Sequence, residues 1–347
     1  MNTRKKAILA ATIEQYIQTA EPVSSKQLAE GHGLSVSPAT VRNELNELEQ
    51  DGFLSHVHTS SGRIPTDKGY RLYVDDLMTY RDFPAEKQAL VLQEMNTIGR
   101  SVEQVLVHVA DVMSHIMDYS TLVLTPDIYQ ETLKVAHLIL VDLDRILVVL
   151  LSSLGVNEEF VVSFQDRVSQ DDLNKLSQFL TRKLEGKPLR AIDDTLLGAL
   201  VAELPQLSHV LEAILKELNR MGKKEQPAKK MLAKGLSKLV RLPEFQNIEL
   251  TQKVLTALEE NKLLLALLNE RLSKTPTHQV LIGKETEAED LEACSIILSP
   301  VTVGQEAIGA IGILGPKRMA YPTIIPMVQH IAGMVTHHLT SSTRRSL

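Results

Sequence analysis

"VSPATVRNELNELEQDGFLSHVHTSSGRIPTDKGYRLYV", residues 36–74, is one helix-length run followed by two β-prone runs around a polar loop. Ser37 followed by Pro38 marks a helix start, with serine as N-cap and proline in the first turn, where its missing N–H costs nothing. Val41, Leu45 and Leu48 then fall within one narrow arc, so that stripe packs inward. The opposite arc holds Ala39, Asn43, Asn46 and Gln50, with Thr40 and Arg42 at its edges. Outward amides and a first-turn arginine suit base-edge contacts in a DNA major groove: Asn to adenine, Arg to guanine, Ala against a thymine methyl. They also suit an ordinary solvated helix face, and Glu44, Glu47 and Glu49 in the later turns would repel phosphates.

"FLSHVH" (53–58) and "GYRLYV" (69–74) flank "TSSGRIPTDK" (59–68), which predicts a hairpin directly after this helix. Its cations Arg63, Lys68 and Arg71 face only Asp67, and Gly62 lets the loop tip approach a backbone closely. Upstream, Leu9, Ile13, Tyr16 and Ile17 repeat at helical spacing until "AEP" at Ala20–Pro22 stops the helix. Ser24 with Gln27 forms a capping-box pattern for a short second helix carrying Leu28. Three helices and a hairpin make a winged helix-turn-helix over residues 1–80. The candidate DNA-binding residues are Ser37, Ala39, Thr40, Arg42, Asn43 and Asn46 on the helix, with Ser61, Arg63, Lys68 and Arg71 on a wing that follows the sugar-phosphate chain or enters the minor groove. Residues 1–82 carry nine Lys and Arg against eleven Asp and Glu, so the case depends on where the cations sit rather than on net charge.

A chain of 347 residues suggests two or three domains, and its net charge of -6 gives no whole-chain attraction to nucleic acid. The basic N-terminus precedes an apolar stretch broken by Glu14, Gln15 and Gln18, which does not read as a signal peptide. No apolar run reaches membrane-spanning length, and the single Cys294, in "ACSIILSP", reads as a small buried strand residue in a reduced, cytoplasmic protein.

Beyond a turn-rich linker at Thr79–Glu86 and a helical stretch to Met117, "KVAHLILVDL", "RILVVLLSSLG" and "EEFVVSF" form an antiparallel meander. Leu173, Leu176, Leu180 and Leu184 mark the next helix, and Pro205 divides two more. Leu207, Leu211, Ile214, Leu215 and Leu218 exceed a simple core stripe, which fits either burial against a partner or an internal helical core. "MGKKEQPAKK" (221–230) is a basic turn, a nucleic-acid patch or a solvated loop. A helical run over Leu250–Leu272, three strand-like runs and a helix from Tyr321 to Leu339 complete the chain. "GAIGILG" (309–315) lies within a strand and precedes Pro316, so it is no dinucleotide loop. The pairs His56/His58 and His337/His338 lack a supporting ligand set, and no catalytic pattern stands out; no enzyme, metal or cofactor is expected.

The run from Val36 to Met78, above all "SSGRIPTDKGYRLYVD" (60–75), closely resembles the N-terminal domain of the HrcA family, heat-inducible transcription repressors of bacterial chaperone genes. "VLIGKE" (280–285) and "IGILGPKRMAYPTIIPMV" (311–328) extend the likeness over most of the chain. The resulting expectation is an α+β multidomain protein: a winged helix, a GAF-like α/β sensor domain in two parts (81–165 and 249–347), and an inserted, mainly helical dimerisation segment (166–248). The meander can belong to either the GAF-like domain or the insertion. The resemblance implies a homodimer on double-stranded DNA at an inverted-repeat operator, called CIRCE in this family, with the chaperonin GroEL maintaining its activity. The alternatives are a repressor of the same architecture whose GAF-like domain binds a metabolite, and an adaptor whose winged helix binds protein.

Overall fold

Helix α1 (Thr3–Thr19) starts where Asn2 caps the Lys5 N–H and stops at Ala20, whose left-handed φ of 57° turns the chain. In α2 (Ser25–Gly31) the reciprocal cap forms: Ser24 N donates to Gln27 Oε1 at 2.8 Å and Gln27 N to Ser24 Oγ at 3.4 Å. Helix α3 (Pro38–Gln50) has Ser37 as N-cap and buries Val41, Leu45 and Leu48. Strands β1 (Leu54–His56) and β2 (Arg63–Pro65) then pair antiparallel, His56 opposite Arg63. Val23 adds an antiparallel bridge to β2 through two 2.9 Å bonds with the Arg63 backbone. The result is a winged helix. The computed structural model describes residues 1–31, 36–56, 62–95, 102–125, 132–153, 157–164, 168–188, 194–223, 231–260, 262–274, 277–303 and 306–344. Ser61 and His58 lie outside the described residues.

The expected second wing strand is wrong. "GYRLYV" forms helix α4 (Asp67–Leu72), running into a π turn over Tyr73–Leu77, and the strand is the shorter "RIP" before it. Thr66 caps α4 by accepting the Gly69 N–H, and Asp67 sits favourably in the first turn. Gly69 rests so close to the Phe53 carbonyl that a Cβ there would lie 2.3 Å from the oxygen. Tyr70 and Tyr73 are both buried. A strand would send residues three apart to opposite faces; a helix turn brings them together.

After α5 (Ala85–Met95), α6 (Val102–Ile116) and β3 (Ser120–Leu124), the meander forms its own three-stranded sheet from β4 (Leu133–Asp142), β5 (Arg145–Ser152) and β6 (Asn157–Ser163). Side chains alternate as the pleat requires: Ile146, Val148 and Leu150 are buried, Leu147 and Val149 half-buried. Helix α7 (Gln170–Leu184) seals the β4 edge. Ser177 Oγ accepts the Leu138 N–H at 2.9 Å, Thr181 Oγ1 that of Ala136 at 3.0 Å and Gln170 Oε1 that of Leu140 at 2.9 Å. These polar side chains recur at helical spacing and satisfy amides that an edge strand would otherwise offer to another chain. Helices α8 (Asp194–Glu203) and α9 (Ser208–Lys223) complete this part. Leu207, Leu211, Ile214, Leu215 and Leu218 are buried here by the chain's own residues.

The chain then returns to the strand it left. β7 (Met231–Lys234) joins β3 in a five-stranded GAF-like sheet ordered β7-β3-β10-β9-β8, with β8 (Gln279–Ile282), β9 (Cys294–Val303) and β10 (Glu306–Pro316). Helix α10 (Leu236–Leu239) follows β7. The expected single helix before β8 is two, α11 (Ile248–Glu259) and α12 (Lys262–Lys274). Helix α13 (Tyr321–Arg344) closes the domain. Gly312 serves the β9–β10 hairpin, because a Cβ there would lie 2.2 Å from the Ile297 carbonyl oxygen. Cys294 is buried, which pushes its thiol up to about 12.

By compactness the chain divides into one unit of Met1–Thr97, His108–Val123 and Met231–His338, and a second of Ile98–Val107, Leu124–Lys230 and Leu339–Leu347. The meander therefore goes with the insertion, not with the first part of the GAF-like domain at 81–165. β7 goes with the GAF-like sheet, not with the insertion at 166–248. Non-local pairing decides both memberships: β3 finds its neighbours in β7 and β10.

Candidate nucleic-acid interface

Helix α3 presents Ala39, Arg42, Asn43 and Asn46 to solvent, and its start is held by Ser37 Oγ accepting the Thr40 N–H at 3.2 Å. Thr40 is half-buried, its hydroxyl 3.0 Å from that of Ser37. These are the N-terminal turns that enter a major groove in helix-turn-helix proteins.

The carboxylates that argued against a DNA face are paired. Glu44, 5% exposed, is held by Arg4 through Nε at 2.7 Å and Nη2 at 2.6 Å. Glu47 lies 2.6 Å from Lys5 Nζ, and Glu49 2.8 Å from Arg63 Nε. The N-terminal run "TRKK" thus supplies cations to a helix some forty residues away, a pairing that sequence spacing cannot show. The pairs at Glu47 and Glu49 offset charge that would otherwise face phosphate, while Glu44 is turned inward.

Of the wing cations, Arg63 leans back on α3, its Nη2 donating to Asn46 Oδ1 at 3.0 Å, with its side chain only 13% exposed. Gly62 serves the fold, because a Cβ there would lie 2.6 Å from that of Pro22. Lys68 donates to the Asp51 carbonyl at 2.8 Å and lies 4.4 Å over the Phe53 ring, capping the end of α3. Arg71 turns away from the wing to Glu285 and the Val280 carbonyl. The geometry therefore gathers Ala39, Arg42, Asn43 and Asn46 on one open face, with Arg63 as its buttress, and separates Lys68 and Arg71 from it.

Among the described residues no group of His, Cys, Asp and Glu could hold a metal ion, and no helix is long and apolar enough to cross a membrane.

Comparison with known proteins agrees with this architecture. Residues 10–64 match the DeoR-like helix-turn-helix domain, and residues 103–325 match the HrcA protein C-terminal domain. The chain is 32% identical to the heat-inducible transcription repressor HrcA of Desulforudis audaxviator, over 95% of this chain and 96% of that one. It is 33% identical to that of Thermosynechococcus vestitus and 32% to that of Geobacter sulfurreducens, each over 98% of both chains. A crystal structure described as a hypothetical protein shares the fold, with a TM-score of 0.64, 23% identity and 99% coverage of both chains. One domain match spans well over half of the sequence and the relatives span nearly all of it, so the chain belongs to the HrcA family of heat-inducible transcription repressors.

Proposed function

We propose that two copies of this chain bind an inverted-repeat operator of the CIRCE type upstream of chaperonin and Hsp70-type genes, in the cytoplasm, each reading one half-site with Arg42 and Asn43 of α3. The observation that carries this reading is the open, carboxylate-neutralised face of α3. One winged helix covers too little DNA for strong discrimination, whereas two related by a dyad read half-sites separated by whole helical turns.

The second copy has an apolar surface to meet. On the outward face of the meander, Ile139 stands opposite Leu147 and Leu147 opposite Val161, with Ile139 47% and Val161 53% exposed. Val141 and Leu143 extend the patch at 51% and 73% exposure. An isologous contact needs one patch that complements itself, and a continuous apolar row does so without leaving a charge unpaired.

Arg63 acts as the support that sets the wing on α3. Arg63→Ala combined with Glu49→Gln, which leaves no uncovered carboxylate behind, weakens binding evenly across sequences and leaves the dependence on salt unchanged. A salt slope lower by about 1 would make Arg63 a phosphate ligand instead.

Regulation acts through folding, with GroEL raising the amount of active repressor. Family membership supports this, and so does the topology: β3 cannot complete its sheet until the inserted segment has been made and β7 and β10 return to it. Such long-range pairings fold slowly and expose strand edges in the meantime. Heat-damaged clients occupy the chaperonin, active repressor falls, and transcription resumes. Refolding purified protein with and without GroEL, followed by gel shift on the operator, tests this. Recovery several-fold higher with GroEL is expected. Equal, full recovery in both samples, with binding switched by a small molecule, favours a metabolite sensor.

A further inference from the structure

Helix α4 begins two residues after the wing strand and is fastened to the base of the wing. Thr66 Oγ1 donates to the Gly52 and Phe53 carbonyls, and Gly69 packs on Phe53. Whatever holds α4 therefore holds the reading head.

Two charged side chains of α4 reach the GAF-like domain. Asp67 Oδ1 accepts Lys317 Nζ at 2.6 Å, and its Oδ2 accepts the Lys284 N–H at 3.2 Å. Gly283 makes room for this carboxylate: its φ is +54°, and a Cβ there would lie 2.2 Å from Asp67 Oδ2. Arg71 forks onto Glu285, Nε to Oε1 at 2.9 Å and Nη2 to Oε2, while Nη2 also reaches the Val280 carbonyl at 2.6 Å. Glu285 is itself fixed by accepting the Ile282 N–H at 2.9 Å. "TDKGYR" thus meets "IGKE" and "GPK" at one joint, although it lies more than two hundred residues before either.

We propose that Asp67 and Arg71 are positioning residues, a clamp that fixes each winged helix on its GAF-like domain and so sets the separation of the two recognition helices. This rests on the dimeric reading above. A planar guanidinium bonded to both oxygens of a carboxylate defines an angle as well as a distance, which a lysine would not. The paired side chains are roughly one-third exposed, so the clamp is polar and sensitive to salt, and can open without unmaking either core.

The test uses full-length protein. On an operator with native half-site spacing, Arg71→Gln and Asp67→Asn should each lose about tenfold in affinity, about 1.4 kcal/mol. They should bind a single half-site as the unaltered protein does and tolerate inserted or deleted spacer base pairs better. The exchange Arg71→Glu with Glu285→Arg should recover part of the loss. Equal weakening on single half-sites, with a lower salt slope and no recovery on exchange, would make Arg71 a phosphate ligand and overturn the clamp. A second readout needs neither DNA nor a dimer: spin labels at Gln50→Cys and Gln252→Cys, both exposed, in protein diluted with unlabelled copies. Their distance distribution should be narrow, broad in Arg71→Gln, and narrower again after the exchange. A distribution unchanged by Arg71→Gln also overturns the proposal. If the unaltered protein ignores half-site spacing, the dimeric reading fails, while the label distances still report on the clamp.

Discussion

Arg42→Ala and Asn43→Ala each weaken operator binding by about 1–3 kcal/mol and relax the preference at one base pair, as loss of a bidentate base contact does. Both side chains stand free of the helix core on turns whose backbone is already fixed by the Ser37 cap. Neither should change the melting temperature appreciably, because exposed substitutions away from caps and buried groups stay within about 0.5 kcal/mol. On DNA of unrelated sequence the loss should be small for Asn43→Ala, which carries no charge, and larger for Arg42→Ala, which also loses a cation near phosphate. Asn46→Ala is a useful contrast: its Oδ1 holds Arg63, so its effect should pass through the wing and be spread over many bases. Gel shifts on the operator and on singly altered operators measure all three. Unchanged operator affinity in both Arg42→Ala and Asn43→Ala would remove α3 as the reading element.

Most of the reading head is legible in the sequence because its signals are local. Ser37 with Pro38, the reciprocal pair Ser24 and Gln27, and the stripe of Val41, Leu45 and Leu48 each act within two turns of chain, and each has the role that spacing assigns. The second wing strand is misread for an instructive reason. Tyr70, Tyr73 and Val74 favour strands by residue type, but Thr66 as cap and Gly69 against Phe53 commit the segment to a helix. The carbonyl under Gly69 lies in another segment of the chain and leaves no mark on the local sequence. The charge pairs are hidden for a related reason, since Arg4 with Glu44 and Arg71 with Glu285 join residues far apart in sequence. The strands of the meander are likewise plain as β-prone runs, whereas the compact unit they fall in depends on pairings made elsewhere, β3 with β7 and β10.

The leucines of α9 make the same point, and separate two predictions that would otherwise look alike. Leu211 is fully buried, so Leu211→Asp loses the several kcal/mol that truncation of a core leucine costs and leaves a carboxylate without a partner. The sum, more than about 5 kcal/mol, rivals the whole stability of a typical domain, and the inserted part should unfold. Ile139→Asp removes little from the folded chain, because its side chain already stands half in water on the outward face of the meander. In a dimer, however, a twofold axis repeats the change, so two carboxylates replace apolar contacts and face one another across the interface at a cost of several kcal/mol. Ile139→Asp should therefore melt like the unaltered protein by circular dichroism yet scatter light as a monomer. It should bind a single half-site normally and lose the advantage of a second. Val161→Asp, in the same row, should behave alike, which guards against a peculiarity of one position. A folded, monomeric Leu211→Asp would return the interface to α9. Unaltered dimers in both Ile139→Asp and Val161→Asp would move it off the meander face, because no apolar contact built on that row could absorb the two charges that either change adds.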